Sequence, residues 1–155
     1  MSSPSPSSWS SRFAQLAALV ASWSKDPATQ VGAVAVNDAR RILEVGYNGL
    51  PQGTLDAPDR MARPAKYLWT THAEANLVAT AARSRLAGST VYVTHAPCSQ
   101  CAALLINAGV ARVVCGAGTT AMPEEPFAVA RLMFEEAGVE LVELPPGSAS
   151  IPEPS

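Results

Sequence analysis

Two short segments carry side chains whose types and spacing suit metal-assisted hydrolysis: His72-Ala73-Glu74, and Pro97-Cys98-Ser99-Gln100-Cys101. Thiolates three residues apart can grip one ion when they stand on the first turn of a helix. The unpaired N–H groups and the helix dipole there favour the deprotonated sulfur. One imidazole adds a third ligand, so His72, Cys98 and Cys101 amount to a tetrahedral zinc set with one corner left over. Structural zinc is usually closed by four protein ligands, whereas a catalytic ion keeps water in the fourth place and lowers its pKa to about 7. No fourth ligand stands nearby in sequence: Cys115 ends a strand-like run, and His95 is the only other histidine. Glu74, two residues from His72, is placed to move protons without ligating. It can take one from the water and return protons as bonds break.

Each of these residues also has a plainer reading. The cysteine pair could be a redox dithiol or half of a structural zinc site. Glu74 without its neighbours would be a favourable charge at a helix start. Cys115 reads as a buried strand residue. His95, at a strand end beside Pro97, is open between a substrate contact and a structural role.

The elements that must position these groups follow from periodicity. Residues 9–23 repeat apolar side chains at helical spacing (Phe13, Leu16, Leu19, Val20, Trp23). Residues 31–36 and 42–47 are β-rich runs parted by Asn37-Asp38, which predicts an antiparallel hairpin. Asn48-Gly49 and Pro51 break the chain, and residues 49–70 read as a long polar loop. Thr71 is expected to cap a helix over 72–83, and 90–94 to form a strand. Pro97 opens a helix over 98–108 that Gly109 stops. Strand 110–115, helix 124–137 and strand 139–144 complete an α-β-β-α-β-α-β-α-β order. Strands that alternate with helices after a hairpin predict an α/β fold with one mixed sheet, helices on both faces and its later strands parallel. The Ser- and Pro-rich ends, 1–8 and 145–155, are expected to be disordered tails around a catalytic domain over 9–144.

Bulk properties narrow the partners. The chain has 155 residues, of which 48% are apolar, so one domain with a real core is expected. Its net charge of −2 and pI near 5.6 give no basic stripe for a polynucleotide. No nucleic-acid polymer and no membrane are expected as partners. The first residues lack the charged and apolar blocks of a signal peptide, which predicts a cytoplasmic protein. Three cysteines do not suggest a disulfide scaffold.

H-x-E followed by P-C-x-x-C is the recognised signature of zinc-dependent nucleobase deaminases, and here His72 precedes Cys98 by 26 residues. The chain further resembles the deoxycytidylate deaminases of the cytidine deaminase superfamily. The matching segments are SKDPATQVGA (24–33), GYNGLPQG (46–53), KY (66–67), HAEAN (72–76), VYVT (91–94), PCSQCAALLINAGV (97–110) and ARLMFEEAGV (130–139). The resemblance implies a three-layer α-β-α cytidine deaminase-like fold with a five-stranded sheet. It implies one zinc per chain on His72, Cys98 and Cys101, and Glu74 as proton shuttle to a zinc-bound water. The backbone of Ala73 would orient a pyrimidine, and Asn48 would bind the sugar or base edge. A homo-oligomer acting on a small pyrimidine nucleotide is expected. His95 is a further candidate for substrate contact, and the loop cations Arg60, Arg63 and Lys66 are candidates for a nucleotide phosphate.

The expected reaction is hydrolysis of deoxycytidylate to deoxyuridylate with release of ammonia. A free or 5-substituted cytosine nucleoside or nucleotide remains an alternative substrate. A transfer-RNA adenosine deaminase would need a polyanion-binding surface that the acidic pI speaks against. A non-catalytic zinc module would have no use for Glu74.

Overall fold

The structure is a computed structural model and describes residues 8–147. The tails expected over 1–8 and 145–155 therefore lie outside the described residues, apart from Ser8 and 145–147. Ser8 is the N-cap of helix α1 (Trp9–Ala21), and its side chain accepts from the Ser11 N–H. Helix α1 buries Phe13, Ala14, Ala17, Val20 and Ala21, the i, i+4, i+7 stripe that its sequence encodes. Strands β1 (Gly32–Val36) and β2 (Ile42–Tyr47) form the antiparallel hairpin. Asn37 makes its turn, with Oδ1 accepting from the N–H groups of Ala39 and Arg41.

The polar segment that follows is not structureless. It holds a 3-10 turn (Pro58–Met61) and a one-turn helix α2 (Lys66–Trp69). Helix α3 (Ala73–Thr80) stops three residues before the end expected of it. The Thr80 hydroxyl donates back to the Asn76 carbonyl, and Ala81 turns extended. The chain re-forms a single turn, α4 (Arg83–Leu86), before strand β3 (Thr90–His95). Then come helix α5 (Ser99–Asn107), strand β4 (Arg112–Gly118), helix α6 (Glu125–Ala137) and strand β5 (Glu140–Glu143).

The five strands lie in the order β2-β1-β3-β4-β5. β1 pairs antiparallel with β2 and β3, while β3, β4 and β5 run parallel. Alternation along the strands splits the core into two. Ala33, Ala35, Val91, Val93, Val113 and Cys115 face a cluster with Leu77 of α3, Leu105 of α5 and Phe134 of α6. Val34, Val36, Tyr92 and Val114 face Phe13, Ala17 and Val20 of α1. This is the three-layer α-β-α sandwich. Cys115 is buried in the first cluster, as a strand residue. Among the described residues, no helix is long and apolar enough to cross a membrane.

Candidate active site

Helices α3 and α5 bring their N-termini together on one face of the sheet, and each begins at a chemically active residue. His72 is itself the N-cap of α3, and Cys98 is the N-cap of α5. Thr71, expected as the cap, instead pairs by backbone with Gly49: each N–H donates to the other's carbonyl. That bridge ties the Asn48-Gly49 turn directly to the residue before His72. Cys101 stands on the first turn of α5, so both sulfurs lie where free helical N–H groups favour negative charge.

The Nδ1 of His72 lies 3.3 Å from the Cys101 sulfur and 3.6 Å from the Cys98 sulfur. All three ligand atoms fall within 4.8 Å of one another. Ligands on a tetrahedral zinc with ordinary Zn–N and Zn–S bonds stand about 3.5 Å apart, so this donor set fits the ion. The electrostatics divide the two thiols. The hydrogen bond from Cys101, aided by His72, draws the Cys98 thiol down to about 4. Cys101 is pushed up because it donates that bond and is buried. His72 is raised by its bond to Cys98. Of the two thiols, Cys98 is thus the one that its neighbours favour as a thiolate.

Glu74, on the first turn of α3, is only 4% exposed. Burial lifts its carboxyl to about 7, so it can both take up and give off a proton near neutral pH. It lines a cleft together with His72, Ala73 and Cys98. Phe127 and Met122 pack beside the two cysteines and give that end of the cleft an apolar wall.

The remaining expected contacts separate. Asn48 and His95 both line the cleft. Asn48 is buried: its Oδ1 accepts from the Val31 N–H, and its amide donates to the Thr29 carbonyl. The His95 ring hydrogen-bonds the Thr94 hydroxyl at 2.8 Å and packs over Gly118. Burial lowers its pKa, which keeps the ring neutral. Lys66 also lines the cleft, but it is no free cation. Its Nζ lies 2.8 Å from the Asp26 carboxylate in an almost fully buried ion pair. Arg60 is turned out of the cleft lining. Its guanidinium stacks on Trp69 at 3.9 Å and donates to the Leu55 carbonyl.

Sequence reasoning did not single out Asp26, Thr29 and Phe127, which join the cleft lining from two distant segments, and it named Arg63 only as one of several loop cations. Asp26 lay within the SKDP motif and Arg63 among the loop charges, but nothing in periodicity or spacing marked either as cleft-lining.

Comparison with known proteins adds the family. The family model described as "Cytidine and deoxycytidylate deaminase zinc-binding region" matches residues 7–117. The chain belongs to this family. It is a hydrolytic deaminase. A deaminase of the luxG 3' region of Aliivibrio fischeri, itself uncharacterized, is 46% identical over 142 residues, 90% of this chain and 95% of the relative. The deoxycytidylate deaminase of Mus musculus is 37% identical over 149 residues, 92% of this chain and 83% of the relative. Among solved structures, apo dCMP deaminase from the cyanophage S-TIM5 superposes with a TM-score of 0.67 at 26% identity, covering 87% of this chain and 96% of that one. The α-β-α architecture expected from the sequence is thus the architecture of a family member.

Proposed function

We propose that this deaminase converts deoxycytidylate to deoxyuridylate and ammonia, using one zinc ion per chain held by His72, Cys98 and Cys101. The observation that carries this reading is the convergence of those three side chains beside the buried, proton-ready Glu74 at a cleft. The deoxycytidylate deaminases among its relatives support the choice of substrate. When bound, zinc supplies a water acidified to a pKa of about 7.

The protein's own groups do the rest. Glu74 takes one proton from the attacking water and hands it to the ring nitrogen, then takes the second from the hydroxyl formed on the ring carbon and passes it to the amine as its bond to carbon breaks. Its pKa near 7 suits a group that must change protonation at each stage. The backbone of Ala73 orients the pyrimidine edge, and Phe127 and Met122 exclude water beside the sulfurs. Asn48 presents the remaining lone pair of its side-chain oxygen to the sugar. Its other bonds, to Thr29 and Val31, hold the amide in a single orientation. His95, neutral and anchored on Thr94, borders the bound substrate. The catalytic unit spans 9–144, and it works as a homo-oligomer in the cytoplasm.

The test is a panel of cytosine nucleosides and nucleotides, with and without chelator, followed by loss of the amine's ultraviolet absorbance. Deoxycytidylate is expected to give the highest kcat/KM. Zinc-replete protein that leaves it untouched would refute the substrate assignment.

A further inference from the structure

A nucleotide brings a phosphate dianion into the cleft, and that charge needs a cation that is not already engaged. The cations and imidazoles lining the cleft are Arg63, Lys66, His72 and His95. Lys66 is spent on Asp26 at 2.8 Å. His72 faces the two sulfurs. His95 is held neutral by burial and occupied by Thr94. Arg63 remains. Among the described residues no carboxylate lies within ion-pairing distance of it, and its side chain is exposed at the cleft.

We propose that Arg63 is the specificity residue that separates a 5′-phosphorylated substrate from the free nucleoside. The inference rests on the deoxycytidylate reading above. Its chemistry is favourable in two ways. A guanidinium offers paired N–H donors in the geometry of a phosphate edge. An exposed position lets the phosphate keep water on its other oxygens, so the dianion is bound without the cost of full desolvation. The local backbone adds rigidity. Arg63 lies between the 3-10 turn, whose Met61 is buried, and α2, whose Lys66 is pinned to Asp26. The loop that carries the guanidinium is therefore anchored on both sides of it.

The experiment compares deoxycytidylate with deoxycytidine in the zinc-loaded wild type, Arg63→Ala and Arg63→Lys. Arg63→Ala is expected to lower kcat/KM for deoxycytidylate by about 10- to 100-fold, mostly through KM, and to leave deoxycytidine within about 2-fold. Arg63→Lys should restore part of the loss, because the charge returns without the paired donors. Inhibition by deoxyuridylate should weaken in parallel in Arg63→Ala, while inhibition by deoxyuridine should not. Equal losses on both substrates, or an unchanged preference for deoxycytidylate, would overturn the assignment of Arg63. A wild type inactive on deoxycytidylate would instead strike the proposed function, so the two failures are told apart by the wild-type arm. Arg63 is exposed, so the variants keep the fold, which thermal melting and zinc content verify.

Discussion

The carbonyl oxygen of Ala73 lies 2.5 Å from the point that a Cβ on Gly46 would occupy. Strand β2 and the first turn of α3 can approach this closely only because Gly46 has no side chain, and that approach sets where His72 and Glu74 begin. Gly46→Ala is expected to destabilise the fold by about 1–3 kcal/mol, the usual range for overpacking, and to lower zinc content and turnover together. Gly49→Ala, three residues on, meets nothing within 4 Å and should change little. Thermal melts and metal analysis of the two variants check the contrast, and equal effects would refute it.

Glu74→Gln keeps the shape of a buried side chain and removes its proton chemistry. Turnover should fall by about 10²- to 10⁴-fold, the range for loss of a general acid–base, with zinc content and melting temperature nearly intact. Steady-state kinetics beside metal analysis decide the point. Turnover that survives the change would remove Glu74 from the mechanism.

Removal of zinc by a chelator should abolish activity, and one equivalent per chain should restore it. His72→Ala, Cys98→Ser and Cys101→Ser should each lose the metal, because each donor lies within 4.8 Å of the other two and no fourth member joins the group among the described residues. Titrating zinc back into metal-free wild type and reading both stoichiometry and rate makes the measurement. A plateau at two equivalents would contradict a single site.

The Lys66–Asp26 pair fastens the 58–69 segment to the loop before β1, with the Asp26 carboxylate also accepting from the N–H groups of Ala28 and Thr29. Lys66→Met leaves a carboxylate buried without its cation, and a loss of about 3–5 kcal/mol is expected. Burial alone would raise the Asp26 pKa. The bonds from Lys66, Ala28 and Thr29 outweigh it and hold the carboxyl below its ordinary 3.8. A lowered folded-state pKa means that the stabilisation is complete above about pH 3.8 and is lost as the pH falls through the folded value. Acid denaturation should therefore begin at higher pH in Lys66→Met than in the wild type. Coincident acid transitions would argue against the pair as a structural tie.

Much of this was legible from the chain because the informative signals are local. Amphipathic spacing in 9–21, the Asn37 turn, Pro97 before the α5 start and Gly138 after the α6 end all act over a few residues, and the elements follow them. Errors gathered where the chain took a partner against the local pattern. Thr80 bonded back on its own helix and ended α3 early, and Thr71 paired with Gly49 instead of capping. β4 ran on to Gly118 because β3 extends beside it and the His95 ring needs the space that a side chain would fill.

The sequence by itself determined the reaction class. A histidine, two cysteines and a glutamate at helix starts define what chemistry is available, since donor type and spacing within one turn are covalent facts. Tertiary structure decided which charges remain for a substrate. Arg60, Arg63 and Lys66 are alike as letters in one polar loop, yet one stacks on Trp69, one is neutralised by Asp26 from 40 residues away, and one is left at the cleft. Long flexible cations choose among distant partners, and only packing brings those partners within reach.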